Sequence, residues 1–185
     1  MIAPPPREIG KPGEILVSGG MDQTGMGIIV AEGFEVSIFA GGLEKPRVLA
    51  RTPDGTLLVS ITSAGKVVAL PDRNGDGIAD TSATLLEGLN RPHGLIVRCP
   101  GTSETLSEEV VPCDFFVAET DKVTRYDLIV TADGMKAVKA RKLFDLPGGG
   151  GHFTRTIVDV STEDRELFLT SVGSSGNVCN ESDSF

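Results

Sequence analysis

The sequence predicts an all-β fold of short strands set in repeated units, on three observations. Gly occurs 23 times and Pro 11 times in 185 residues, and long helical patterns are few, which places turns between many short strands. Those turns bound short runs rich in β-branched and aromatic side chains. One turn also recurs: Gly42-Leu43-Glu44-Lys45-Pro46-Arg47 returns 46 residues later as Gly88-Leu89-Asn90-Arg91-Pro92-His93. A repeat of roughly 45–60 residues holding about four short strands is the pattern of a β-propeller blade.

Residues 1–32 read as an irregular lead-in, with Pro4 to Pro6, Pro12 and a scatter of glycines. A partial propeller is expected over 33–185. In its first unit the apolar stretch Val36 to Ala40 precedes the turn, and Val48 to Ala50 follows it as the first strand. Pro53-Asp54-Gly55 is hairpin-turn chemistry, after which Thr56 to Ile61, Lys66 to Leu70 and Ala83 to Leu86 are the remaining strands. The second unit repeats the order with Leu95 to Val97, Phe115 to Ala118 and Val123 to Leu128. Met135 to Leu146 is rich in helix formers, but its place just before a third, looser turn (Leu143 to Pro147) matches an outer strand, and a strand is predicted. Ile157 to Val160 and Leu167 to Thr170 begin a third unit. The expected blades are therefore about 33–91, 92–147 and an incomplete 148–185, some two and a half four-stranded blades. A closed ring takes about four to eight, so a fragment with open, self-associating strand edges is expected.

Asp plus Glu number 26 against 17 Lys plus Arg, a net charge of −9. Nucleic acid is excluded as a first choice of partner because its phosphates would be repelled on average. No window approaches the roughly 18 uninterrupted apolar residues of a membrane span. The opening Met1-Ile2-Ala3-Pro4 lacks the basic-then-apolar pattern of an export signal, which is expected to be absent or already removed.

Candidate chemistry clusters after the recurring turn. His93 follows Pro92, His152 follows Pro147 and four glycines, and Arg47 holds the matching place in the first unit. Each precedes an innermost strand, so the three side chains are expected to converge at one end of the channel, as a reactive pocket requires. A polar residue that merely tops each strand is the plainer alternative; two histidines at such places favour function. Gly148 to Gly151 lacks the Lys-Ser/Thr ending of a phosphate loop and suits a close backbone approach to a ligand or a simple turn. Asp72, Asn74, Asp76 and Asp80 place oxygens at positions 1, 3, 5 and 9 of an EF-hand-like loop with Gly77 at position 6. Position 12 is Ala83, so a structural Ca²⁺ and a plain hairpin turn stand level. Cys99 and Cys113 bracket an insertion between neighbouring strands, consistent with a disulfide in an oxidising compartment or with two thiols. Cys179 is left over.

The strings Gly42-Leu43-x-x-Pro46-Arg47, Pro53-Asp54-Gly55-Thr56-Leu57-Leu58-Val59, Asn90-Arg91-Pro92-His93-Gly94-Leu95, Ala118-Glu119-Thr120, Leu146-Pro147 through His152-Phe153-Thr154-Arg155-Thr156, and Ser171-Val172-Gly173-Ser174-Ser175 form a series. From about Gly33 to Asp183 it resembles the amino-terminal half of the glucose/sorbosone dehydrogenase family, the soluble PQQ-dependent sugar dehydrogenases. The resemblance implies a six-bladed propeller holding pyrroloquinoline quinone (PQQ) and Ca²⁺ at the channel mouth, with His152 as the general base. A sugar or aldose hydroxyl would give its proton to His152 and its hydride to the quinone, and an external acceptor would take the electrons onward. His93 and Ser175 fall where the family lines its pocket, with Arg47 and Arg155 nearby. Ser174 stands where glucose-oxidising members carry an acidic residue that orients the histidine. The calcium-binding carbonyls and several quinone contacts of later blades find no match in these residues, so little turnover is expected of the chain alone. An extracellular or periplasmic location is implied. The alternatives are a noncatalytic propeller segment that binds protein or carbohydrate, and a metal-dependent lactonase. The latter needs carboxylates at the channel mouth, where the turns carry His and Arg instead.

Overall fold

The computed structural model describes residues 20–100, 112–131, 134–148 and 151–174. The chain divides into two compact units, Met1–Phe39 and Ala40–Phe185. In the first, β1 (Met21–Asp22) pairs in parallel with β2 (Glu35–Val36). The Asp22 carboxylate closes the turn between them by accepting the N–H groups of Thr24 and Ile28, each at 2.8 Å. Of the apolar stretch from Val36 to Ala40, only Val36 is strand.

The second unit is all-β. Strands β3 (Leu49–Arg51), β4 (Leu57–Ile61), β5 (Lys66–Leu70) and β6 (Ala83–Leu86) make one antiparallel sheet in chain order. A second sheet repeats that order with β7 (Leu95–Arg98), β8 (Cys113–Ala118), β9 (Lys122–Thr131) and β10 (Gly134–Asp145). The helix-forming composition around Met135 is overridden by pairing: β10 lies along β9 from Gly134 opposite Thr131 to Asp145 opposite Lys122. A third antiparallel pair is β11 (Ile157–Asp159) with β12 (Phe168–Thr170). Among the described residues no sheet closes on itself, and the arrangement is that of a partial, propeller-like domain.

Local chemistry sets each hairpin. Asp54 in the β3–β4 turn accepts the hydroxyls of Thr52 at 2.5 Å and Thr56 at 2.8 Å, while Thr52 N–H bonds the Thr56 carbonyl at 3.0 Å. Cys99 and Cys113 are joined in a disulfide that bridges the end of β7 to the start of β8. Among the described residues no helix is long and apolar enough to cross a membrane.

Stacking follows from β8, whose side chains are buried on both faces. Phe115 and Val117 pack with Leu58, Val67 and Ala69 of the first sheet. Phe116, also fully buried, points the other way and meets the Phe168 ring at 4.7 Å between centroids. A strand alternates its side chains between faces, so a sheet must lie on either side. Arg98 fastens the second of these contacts: its guanidinium reaches Asp114 at 2.9 Å, Asp159 at 3.3 Å and Glu166 at 2.5 Å, and lies over the Phe116 ring. Arg125 pairs with Asp114 from β9.

Replacing Phe115 by Ala is expected to cost about 3–5 kcal/mol in chemical denaturation, since the ring is buried and its loss leaves a cavity. Acid should loosen the β11–β12 pair. Burial pushes the Asp159 carboxyl up, but bonds from Ser161 and the Arg98 charge outweigh it and hold the group below its ordinary 3.8. A depressed carboxyl stabilises the fold above its unfolded pKa, and that contribution is lost as pH falls through the lower folded value. Amide exchange of Val158 and Leu169 should therefore quicken below about pH 4, and Asp159→Asn should flatten that dependence.

Candidate functional site

Hydrogen-bond register identifies equivalent places in the three turns. Arg47 N–H bonds the Ser60 carbonyl at 3.0 Å, and Ser60 N–H returns to Val48 at 2.9 Å. His93 N–H bonds Ala118 at 2.9 Å, and Ala118 N–H returns to Gly94 at 2.8 Å. In the third pair Ser171 N–H bonds the Thr156 carbonyl at 2.9 Å. Thr156 N–H reaches Ser171 Oγ at 3.1 Å, as Val48 N–H reaches Ser60 Oγ at 3.1 Å. Thr156 thus matches Val48 and Gly94, and Arg155 is the counterpart of Arg47 and His93. His152 stands three residues earlier, on the arc that leaves the glycine run.

These turns frame a cleft of about 470 Å³ lined by Lys45, Arg47, Thr62, Ser63, Arg91, Phe153 and Thr154, a size suited to a small organic ligand. Lys45 and Arg47 come from the turn before β3, Thr62 and Ser63 from the 3₁₀ turn Thr62–Ala64 after β4, and Arg91 from the turn before β7. Phe153 and Thr154 come from the segment before β11. Arg91 lies 4.5 Å from the centre of the Phe153 ring, a cation–π contact. Thr62 Oγ1 bonds the Pro92 carbonyl at 2.6 Å and ties the first turn to the second. Lys45 and Arg91, at matching repeat positions before proline, both adopt left-handed backbone, with φ of 52° and 50°. Such a pose costs of order 1–3 kcal/mol and collects at ligand sites. Three cations, three hydroxyl side chains and one aromatic face, with no carboxylate in the lining, give the cleft a local positive charge that suits an anionic ligand.

Lys45, Arg91, Thr62, Ser63 and Phe153 were not singled out from sequence. The available signal was a basic residue immediately before proline in both copies of the turn. Arg47, which was, sits in the lining.

His93 is half-buried behind this wall. Its Nδ1 lies 3.3 Å from the Arg155 carbonyl; a carbonyl only accepts, so Nδ1 carries the proton and Nε2 is the open base. Burial pushes the imidazole below its ordinary 6.5 and the Arg47 charge lowers it further, against the Arg155 carbonyl, which raises it. His152 is exposed, and its carbonyl accepts from Arg155 at 3.0 Å. Arg155 does not line the cleft as expected. It is fully buried, its guanidinium taken up by the carbonyls of Pro147, Thr120, His152 and Thr154. Glu119, also buried, accepts Asn90 N–H at 2.6 Å and holds the second turn in place. Ser174 follows β12, and Ser175, like Cys179, lies outside the described residues.

The acidic loop sits at the other end of the first sheet, between β5 and β6. Asp72 accepts N–H groups from Gly75, Asp76 and Gly77, Asp76 accepts from Ile78, and Asp80 accepts from Arg73. Asn74 donates to Asp76 at 2.8 Å. Among the described residues no three His, Cys, Asp or Glu side chains converge as metal ligands.

A TrAA12-like family profile matches residues 28–184. The chain belongs to the TrAA12-like family. Among solved structures this TrAA12-like chain is similar to the PQQ domain of pyranose dehydrogenase from Coprinopsis cinerea, in its holo form. The two share 27% identity with a TM-score of 0.61, over 80% of this chain and 32% of that one. It is also similar to the Trichoderma reesei carbohydrate-active enzyme of family AA12 in its iodide structure, at 23% identity and TM-score 0.56, over 75% of this chain and 32% of that one. The calcium structure of the same enzyme gives 22% and 0.54, over 74% and 31%. The chain thus spans about a third of the length of these structures. No curated protein matches it.

An NMR pH titration should place the His93 midpoint below 6.5 with Nδ1 protonated in the neutral ring. Arg47→Ala, which removes a neighbouring positive charge, should raise that midpoint.

Proposed function

We propose that this chain forms the first blades of a six-bladed PQQ-dependent dehydrogenase that oxidises a sugar or aldose hydroxyl, with His152 as the proton acceptor. The observation that carries the reading is the cleft of Lys45, Arg47 and Arg91 beside Phe153, in a chain whose net charge is −9. Local positive charge against that background calls for an anionic ligand, and the similarity to a pyranose dehydrogenase PQQ domain names a candidate of the right chemistry. PQQ is planar and carries three carboxylates. The three cations would pair with those carboxylates, Phe153 and the Arg91 guanidinium would offer it a flat face, and Ser63 would add a hydroxyl donor. What the bound cofactor supplies is a two-electron sink.

The remaining work belongs to the protein. Phe153 and Thr154, which line the cleft, follow His152 directly in the chain, which supports a place for its imidazole near the cleft mouth. An imidazole at that place would take the hydroxyl proton as general base. His93, with Nδ1 committed to a carbonyl, offers Nε2 as a hydrogen-bond acceptor at the cleft margin. An external acceptor would reoxidise the site. The Cys99–Cys113 bridge fits an oxidising compartment, which supports an exported protein.

The test uses a protein extended to the length of its structural neighbours and supplied with PQQ and Ca²⁺. Dye reduction by aldoses is expected, with His152→Ala lowering kcat by about 10²–10⁴-fold while PQQ affinity is kept. Combined Lys45→Ala and Arg91→Ala should instead weaken PQQ binding. Absence of saturable PQQ binding would remove the reading, and full turnover in His152→Ala would remove the base.

A further inference from the structure

The strongest unabsorbed feature is the buried Arg155. A fully buried arginine is rare unless all its donors are satisfied, and here the satisfaction is spread over three pieces of chain. Nη2 donates to the Pro147 carbonyl at 2.7 Å, where the glycine run begins. Nη1 donates to His152 at 3.0 Å and Thr154 at 3.1 Å, where the run ends. Nε donates to Thr120 at 3.1 Å, in the β8–β9 turn of the second sheet. The planar fork thus ties Pro147, His152 and Thr154 to the β8–β9 turn. The Arg155 carbonyl meanwhile receives Gly94 N–H at 2.9 Å and His93 Nδ1.

An independent constraint acts from the other side. A Cβ built on Gly173 would stand 2.6 Å from His152 Cβ and 2.8 Å from the His152 carbonyl oxygen. No side chain fits there without moving His152, so the backbone after β12 presses directly on that residue.

We infer that Arg155 and Gly173 together are a positioning device for His152: the guanidinium anchors its carbonyl and the bare glycine backbone sets how deeply it seats. The functional weight of this rests on the reading of His152 as proton acceptor; the geometry does not. Arg155→Lys replaces the fork by a point charge that cannot hold Pro147, His152 and Thr120 at once. Gly173→Ala keeps the guanidinium and crowds His152 from the other side.

The readout is the His152 imidazole cross-peak of the histidine-labelled chain, followed through a pH titration, with β4 and β5 amides as the control. Both variants are expected to move or broaden the His152 signal, while the control amides stay in place. The proposal is overturned if the His152 signal is unmoved in either variant. It is overturned equally if Arg155→Lys abolishes dispersion across β4 and β5, because Arg155 would then be a general core residue. None of these outcomes depends on PQQ or turnover, so failure of the dehydrogenase reading is scored separately by the dye assay.

Discussion

The two-faced burial of β8 is the constraint on which the rest of the second unit depends. With Phe115 buried toward the first sheet and Phe116 toward the β11–β12 pair, β8 cannot serve as the floor of a one-sided sheet. It requires a neighbour on each side, and the meander order then brings the turns before β3, β7 and β11 to one end. Functional geometry at that end is a by-product of packing in the middle.

Charge is organised against the average. The net −9 disfavours a broad phosphate-binding surface on average, yet three cations line one cleft. Composition reports a sum, whereas a site needs only a local excess within a Debye length of about 8–10 Å. Carboxylates are spent elsewhere: Asp114, Asp159 and Glu166 gather on Arg98, and Asp72, Asp76 and Asp80 on backbone N–H groups of their own loop.

What could be read from sequence was governed by periodicity. Lys66–Leu70 and Ala83–Leu86 are strands at the bounds expected, because alternation and flanking turn residues leave little freedom there. The strand at Met135 was legible only from its place in the repeat, since its composition favours helix. The site was less legible because it depends on backbone register and on who is buried. Matching residue types set His152 beside His93, while hydrogen bonds set Arg155 there; the glycine run displaces the histidine by three residues and hides the correspondence. Arg155 reads as a residue near the pocket until its four carbonyl partners show it buried. Lys45 and Arg91 escaped notice because left-handed φ at a charged residue before proline leaves no mark in composition.

Those two residues carry a standing conflict. Glycine would relax the left-handed backbone at either place, and asparagine would ease it, but neither brings a formal charge. Drift toward a more comfortable turn would therefore remove two of the cleft's three cations and leave Arg47. A relative with glycine or asparagine at both positions would keep the strands around them and a much weaker positive cleft.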